Sequence, residues 1–439
     1  MSAEKEYVIT VHNHSDCEQL YDEMESNKST EYIPRKNFNC SRRIETSRNT
    51  HYYMTPEEAA LLRQDSRILG IEEPLENRGI KPINCLDWDS TTHFRRPPAN
   101  YPYYPDSQTS ALTESDVQWG ILRCASGNST PTAEYTTDIP MPFDKINAVG
   151  QEGEGVDLII SEGEGLDPLH PEFAVNKDGT GGSRVISVVN GVTWNSNWKA
   201  DENHSPHVAG TAAGNRQGWA SKANIYRISM SPSWWSFDAI RTFHNSKTNG
   251  NPTVVNCSWN YRTHNYYPIE HFCYRGTHYT YGHANHEPFS KYGIQNPEYY
   301  TQRMTYRKAD LPERHGYRTA WKETAPVISV EADMQDAMDD GVIIVVAAGN
   351  DNVTLSTVHD PDYNNYISDR RHTPYYSTDP EYPIHNRTFP GHGPAYPWRG
   401  GTPNTTPGTI CVGATNPYSI NRMYLEATAL GLAAPDTHF

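Results

Sequence analysis

Asn203-His204-Ser205-Pro206-His207-Val208-Ala209-Gly210-Thr211 is the stretch that decides how this chain is read. Its Pro206 is compatible with the first turn of a helix, where the missing N–H is not needed. Outward from it, short apolar runs at 158–160, 185–189, 225–228, 254–259, 342–348 and 410–412 alternate with helical patterns at 237–245 and 329–340. In the second of these Val330, Met334, Ala337 and Met338 share one face, and Gly341 follows as a helix stop. Short buried strands alternating with helices predict an α/β domain, a parallel sheet with helices on both faces. It spans residues 151–439 and is interrupted at about 260–325 and 351–400 by Tyr-rich stretches without clear periodicity, read as surface insertions.

The region before it follows a different plan. Residues 7–11 alternate as a strand and 17–26 form an amphipathic stretch. Thr55-Pro56-Glu57-Glu58 is a strong helix start: Thr55 caps, Pro56 fits the first helical position, and Glu58 completes a capping box. With Ala59, Leu61 and Leu62 as its apolar face and 67–71 as a closing strand, residues 1–74 outline a small β-α-β-α-β domain of the α+β class. Residues 75–150 are rich in Pro, Ser, Thr and Tyr, as in Tyr101-Pro102-Tyr103-Tyr104-Pro105, and read as an extended linker whose docking point is Val117-Gln118-Trp119-Gly120-Ile121-Leu122.

A chain of 439 residues can form two or three domains. Its 37 Lys plus Arg against 53 Asp plus Glu leave a net charge of −16. That argues against nucleic acid as the main partner, because phosphate binding needs clustered cations. The polar start, Met1 to Lys5, leads into no apolar core, so no secretory signal is expected, and no stretch is apolar enough to span a bilayer. Cys17, Cys40, Cys85, Cys124, Cys257, Cys273 and Cys411 show no C-x-x-C spacing, which removes zinc and redox motifs and predicts reduced thiols. Cys257 and Cys411 lie in apolar runs and read as small core residues. No cofactor and no metal site is expected, calcium included, since no ligand cluster is specific enough to assign. The 29 tyrosines and 10 tryptophans suit either large protein contact surfaces or a Tyr-rich surface loop.

Six stretches, in order, carry a family resemblance. Val156-Asp157-Leu158-Ile159-Ile160-Ser161-Glu162-Gly163 is followed by Leu166-Asp167-Pro168-Leu169-His170-Pro171-Glu172-Phe173. Then come the His204 helix and Val254-Val255-Asn256-Cys257-Ser258-Trp259. Val345-Val346-Ala347-Ala348-Gly349-Asn350 follows, and Pro394-Ala395-Tyr396-Pro397 leads to Ile410-Cys411-Val412-Gly413-Ala414-Thr415. Together they resemble the subtilases, whose histidine motif reads H-G-T-H-V-A-G-T. The resemblance implies a subtilisin-like fold and a propeptide-like character for residues 1–74. It also implies His204 as general base, a carboxylate that orients it, and Asn350 as a donor to a developing oxyanion, an effect worth about 2.7–4 kcal/mol in such enzymes. Counting forward along the first stretch places Glu162 at the carboxylate position; counting back from Asp167 places Gly163 there. Glutamate is one methylene longer than the family's aspartate, and a misplacement of about an ångström lowers rates by about 10²-fold. A solvated acidic loop over 152–164 is the competing reading. Ser205 and Pro206 replace the family's Gly and Thr, and the Ser205 side chain is expected to crowd the cleft.

The family's serine motif, G-T-S-M-A-x-P, occurs nowhere in these 439 residues, and Ser419 is the only serine after Thr415. Base and oxyanion donor without a hydroxyl leave only residual rate enhancement. Gly179-Thr180-Gly181-Gly182-Ser183-Arg184-Val185-Ile186 and Gln217-Gly218-Trp219-Ala220 further resemble subtilase-like proteins carried in the virions of tailed phages of marine cyanobacteria. That resemblance implies a virion structural or interaction protein on a catalytically degenerate subtilase-like fold. It would be assembled in a host cytoplasm, keep its N-terminal domain uncut, and have other virion proteins or copies of itself as partners. Two alternatives stand beside it. One is an active serine endopeptidase whose serine comes from another chain or is lost from this sequence. The other is an adhesin whose cleft and aromatic loops hold a host surface.

Overall fold

The computed structural model describes residues 2–26, 31–35, 37–78, 80–84, 152–163, 166, 168–177, 179–186, 204–215, 218–230, 233–263, 269–274, 277–280, 326–349, 355–369, 396 and 399–413. The N-terminal part runs β1 (Lys5–Val11), α1 (Cys17–Glu25), β2 (Asn39–Arg43), β3 (Asn49–Met54), α2 (Pro56–Leu62) and β4 (Ile68–Glu72). The four strands form an antiparallel sheet of order β2-β3-β1-β4. Two strands therefore lie between the helices where the sequence suggested one. β2, Asn-Cys-Ser-Arg-Arg, carries no apolar alternation that would announce it. Ile9, Leu20, Met24, Tyr52, Met54 and Leu62 fill the core of this sheet and its helices. The capping box forms as expected: the Glu58 N–H donates to Thr55 Oγ1 at 3.3 Å and the Thr55 N–H to Glu58 Oε2 at 2.8 Å. Such a cap contributes about 1 kcal/mol.

The expected linker opens with structure of its own, α3 (Leu75–Arg78) and β5 (Ile80–Asn84). Residues 85–150, the 117–122 docking point among them, lie outside the described residues. The C-terminal part then contains β6 (Asp157–Glu162), β7 (Val185–Ile186), α4 (His204–Ala213), β8 (Asn224–Ser229), α5 (Ser233–Ser246), β9 (Thr253–Cys257), β10 (Trp259–Thr263), β11 (Ile269–Tyr274), β12 (Thr277–Thr280), α6 (Ile328–Asp339), β13 (Ile343–Ala347), β14 (Tyr366–Asp369) and β15 (Ile410–Val412). Six of these strands make the predicted parallel sheet, in the order β15-β13-β9-β6-β8-β7. Every residue of β6 is buried, as the centre of a sheet covered on both faces requires.

Successive side chains of a strand point to opposite faces, and β6 sorts its residues accordingly. Leu158 and Ile160 pack with Ile225, Ala209 and Ala213 on the α4 side. Ile159 packs with Val255, Ile240 and Met334 on the side of α5 and α6. Each of the Leu, Ile, Val and Met side chains among them, fully buried, contributes about 1.5–3 kcal/mol. α6 stops as its sequence foretells. Gly341 adopts φ 104°, its N–H donates to Met338 O, and the Val342 N–H donates to Ala337 O, the paired bonds of a Schellman stop.

The apolar run at 254–259 breaks at Ser258. β10 leaves the parallel sheet and pairs antiparallel with β5, from Trp259 opposite Asn84 to Thr263 opposite Ile80. The expected insertions begin as strands, with β11 and β12 joining β14 in a separate sheet of order β12-β11-β14. The N-terminal module rests on α6. The Asn49 amide donates to Ser329 O at 2.8 Å, Arg48 Nη2 to Ala332 O at 3.1 Å, and the Ser47 hydroxyl to Asp333 at 2.7 Å. Arg48 also pairs with Asp336 at 2.9 Å. Among the described residues Cys17, Cys40, Cys257 and Cys411 are free thiols, and Cys257 and Cys411 sit in the core. No described helix is long and apolar enough to cross a membrane.

Candidate active site

The period of two in β6 decides the carboxylate. Glu162 has the parity of Leu158 and Ile160 and so faces α4, whose first residue is His204. Glu162 Oε2 lies 2.9 Å from His204 Nδ1, and Glu162 Oε1 accepts the Ser258 N–H at 3.1 Å. The Met230 N–H donates to the Glu162 carbonyl at 3.2 Å, and Trp259 Nε1 to the Ser161 carbonyl at 2.7 Å, so the strand end is held on both sides. Gly163, the other position reached by counting, has no side chain and supplies no carboxylate.

Glu162 is 0% exposed and His204 7% exposed. A buried carboxylate is strongly disfavoured unless its oxygens are paired, and here each oxygen has a donor. Glu162 Oε2 accepts, so Nδ1 of a neutral His204 ring carries the proton and Nε2 is the acceptor. This is the tautomer a general base needs. His207, one turn along α4, is pushed below the usual imidazole range by burial and by the charge of His204. Cys257 lies close to Glu162 but cannot stand in as nucleophile: burial and the Glu162 charge raise its thiol far above the usual range.

The structure thus brings His204 and Glu162 together and replaces the reading of 152–164 as a solvated loop. Glu154 is exposed, but Glu162 is the buried end of a strand. With glutamate at this position the contact to His204 is still of normal hydrogen-bond length. Ser205 does not stand in an open cleft; it is fully buried in the first turn of α4. Asn350 lies just outside the described residues. Its neighbour Gly349 has φ 103°, and the Ala348 N–H donates to Val412 O at 2.9 Å. Ser419 and the rest of 414–439 also lie outside them. The Ser258 N–H was missed at the sequence level because a backbone donor leaves no residue-type signature. Among the described residues no cluster of three or more His, Cys, Asp or Glu could hold a metal ion.

A model of the subtilase family matches residues 163–423, a span that includes His204 and begins one residue after Glu162. No curated protein matches the chain in sequence. Several solved structures are similar to it in structure. The epidermin leader peptide processing serine protease of Staphylococcus aureus matches with TM-score 0.40 and 14% identity, over 95% of this chain and 70% of that one. Fervidolysin from Fervidobacterium pennivorans, a keratinolytic enzyme related to subtilisin, matches with TM-score 0.33 and 14% identity, over 80% of this chain and 40% of its own. A cold-adapted subtilisin-like serine proteinase matches with TM-score 0.27 and 18% identity, over 55% of this chain and 58% of its own.

Proposed function

Because this chain belongs to the subtilase family, we propose that it is a virion structural or interaction protein that keeps the acid–base half of a serine-peptidase site, Glu162 and His204, while residues 1–439 supply no hydroxyl in the family's motif. The observation that carries this reading is the half-site itself. The 2.9 Å contact between a fully buried Glu162 and His204 stands in a sequence without G-T-S-M-A-x-P. A full site takes the proton of a serine onto the base and holds the base with the carboxylate. The contact between Glu162 and His204 supports the second and third of those parts.

The strand beside the pair supports holding rather than cutting. β10 follows Ser258 directly and is paired over five residues with the chain's own β5, the antiparallel mode by which sheet edges hold extended peptides. The phrases at 179–186 and 217–220 and the 29 tyrosines support a virion setting with large contact surfaces. Its partners would be other virion proteins or copies of the same chain.

One observation favours a second reading, a serine endopeptidase completed by a hydroxyl from another polypeptide. Glu162 has not decayed into a solvated residue but is buried and fully paired. A fluorophosphonate probe separates the two. In the native assembly no polypeptide bound to this chain should be labelled. Stoichiometric labelling of a bound polypeptide that disappears when this chain carries His204→Ala would overturn the first reading and establish the second.

A further inference from the structure

A guanidinium is buried at the far end of the histidine helix. Arg184 sits between the glycine-rich turn at 179–182 and β7, and is 9% exposed. Its Nε donates to Ala174 O at 3.1 Å and its Nη1 to Ala223 O at 3.1 Å. Its Nη2 donates to Glu172 O at 3.0 Å, Ala213 O at 2.6 Å and Asn215 Oδ1 at 3.2 Å. These five oxygens are all neutral. They come from three segments: the loop that leaves β6, the end of α4, and the residue that precedes β8.

A cage of carbonyl and amide oxygens is the donor set of a hard cation. Here the cation is a side chain. Burial disfavours its charge and lowers its pKa below the usual guanidinium range, and the Glu172 charge opposes that only in part. The Glu172 carboxylate lies close by: a Cβ built on Gly214 would stand 2.5 Å from its Oε2. Arginine fits such a cage where lysine would not, because its donors form a rigid planar fork. The Asn215 amide completes the arrangement by donating to Pro171 O, Ala174 O and Asn176 O at 3.0–3.2 Å.

The cage bears on the site through α4. The last carbonyls of a helix have no partner within it and carry its negative end. Arg184 takes up the Ala213 carbonyl there, while the Gly214 and Ala220 N–H groups take those of Gly210 and Ala212. His204 stands at the other end of the same rigid rod, about 13 Å away at 1.5 Å per residue. The loop at 172–174, gripped by the same guanidinium, continues from the strand that ends in Glu162. Clamping the loop to the helix end therefore fixes the helix start against the strand end.

We infer that Arg184 is a positioning residue for His204: its guanidinium is a built-in cation, seated in a five-oxygen cage, that sets α4 against β6 and so holds the Glu162–His204 contact. This rests on the reading of Glu162 and His204 as an acid–base pair, and the test separates the two.

The readout is the strongly deshielded proton resonance of the His204 Nδ1–H···Glu162 hydrogen bond, recorded on the full 439-residue chain. It should be present in the wild type, lost in folded Arg184→Ala, and recovered when millimolar methylguanidinium refills the cage. Arg184→Lys, which keeps the charge and the aliphatic stem but not the fork, should also lose it and decides the matter where Arg184→Ala does not fold. A resonance that survives in either folded variant overturns the inference, as does a loss in Arg184→Ala that methylguanidinium leaves unrepaired. Absence of the resonance from the wild type would instead sink the acid–base pair itself, and the inference with it.

Discussion

The two ends of β6 carry two buried carboxylates with opposite partners. Asp157, at the N-terminal end, meets Lys247 Nζ at 3.0 Å and accepts from the Asn224 and Asn251 amides at 2.8 and 3.2 Å. Burial alone would raise its pKa, but the bonds from Asn224, Lys247 and Asn251 outweigh burial and hold it below the usual carboxylate range. Glu162, at the C-terminal end, meets an imidazole and one backbone N–H. Both side chains are 0% exposed. What differs is the partner. A lysine that stays charged makes a bolt, whereas an imidazole can gain and give up a proton near neutral pH. The strand is fastened at one end and chemically poised at the other, which matches the general placement of sites at the carboxyl ends of parallel strands.

The largest test breaks the bolt. Lys247→Met leaves Asp157 ionised and buried without its cation, and should cost about 3–5 kcal/mol in urea unfolding. Adding Asp157→Asn should recover much of that, because no unpaired charge remains. The folded pKa of Asp157 is depressed, so its contribution is present above the ordinary aspartate pKa and fades as pH falls below it. A loss under about 1 kcal/mol in Lys247→Met at neutral pH would show that the two ends of β6 do not differ in this way.

A third carboxylate sharpens the contrast by having neither kind of partner as its closest contact. Asp333 on α6 takes the Ser47 hydroxyl of the N-terminal module at 2.7 Å. Burial first, then the charges of Asp238 and Asp336, raise its pKa to about 7. A folded pKa above the ordinary value near 4 means that its contribution to stability is complete at acid pH and is lost as pH climbs to about 7. At 1.36 kcal/mol per unit the loss is at most about 4 kcal/mol. Unfolding curves at pH 5 and pH 8 should therefore differ less for Asp333→Asn than for the wild type, the variant being the more stable at pH 8. An unchanged difference would remove Asp333 from the comparison.

How much of this was legible depends on where the partners come from. The parallel sheet could be read because its strands are buried on both faces and appear as short apolar runs. His204 could be read because its neighbours are local. Glu162 and Gly163 tied by counting, yet the period of two from Leu158 through Ile160 to Glu162 was on the page and separates them once a helix is placed on that face. β2 and β10 to β12 were not legible. They are polar or aromatic, and β10 finds its partner β5 about 180 residues earlier, where no local pattern points. The bolt joins Asp157 to a lysine 90 residues away. The cage around Arg184 consists mostly of backbone oxygens, which every residue supplies and which therefore leave no mark in a sequence.

The smallest expected effect lies at the poised end. Glu162→Gln keeps the length and one carbonyl oxygen, which can satisfy either the Ser258 N–H or the His204 Nδ1–H, while its NH2 group faces the other donor. One hydrogen bond to a charged acceptor is lost and one donor is left opposed, a loss of about 1.5–3 kcal/mol. That is less than the bolt should show, because no ion is stranded by the change. The imidazole can also respond by moving its proton to Nε2 and accepting from the amide, which preserves stability while inverting the tautomer that proton abstraction requires. Nitrogen-15 shifts of His204 report the tautomer directly, and unfolding curves report the energy. A switch in tautomer with a stability loss well below that of Lys247→Met is the expected pair of results. Equal losses at both ends, with the tautomer unchanged, would make Glu162 a second bolt and would leave the half-site without the freedom that distinguishes it.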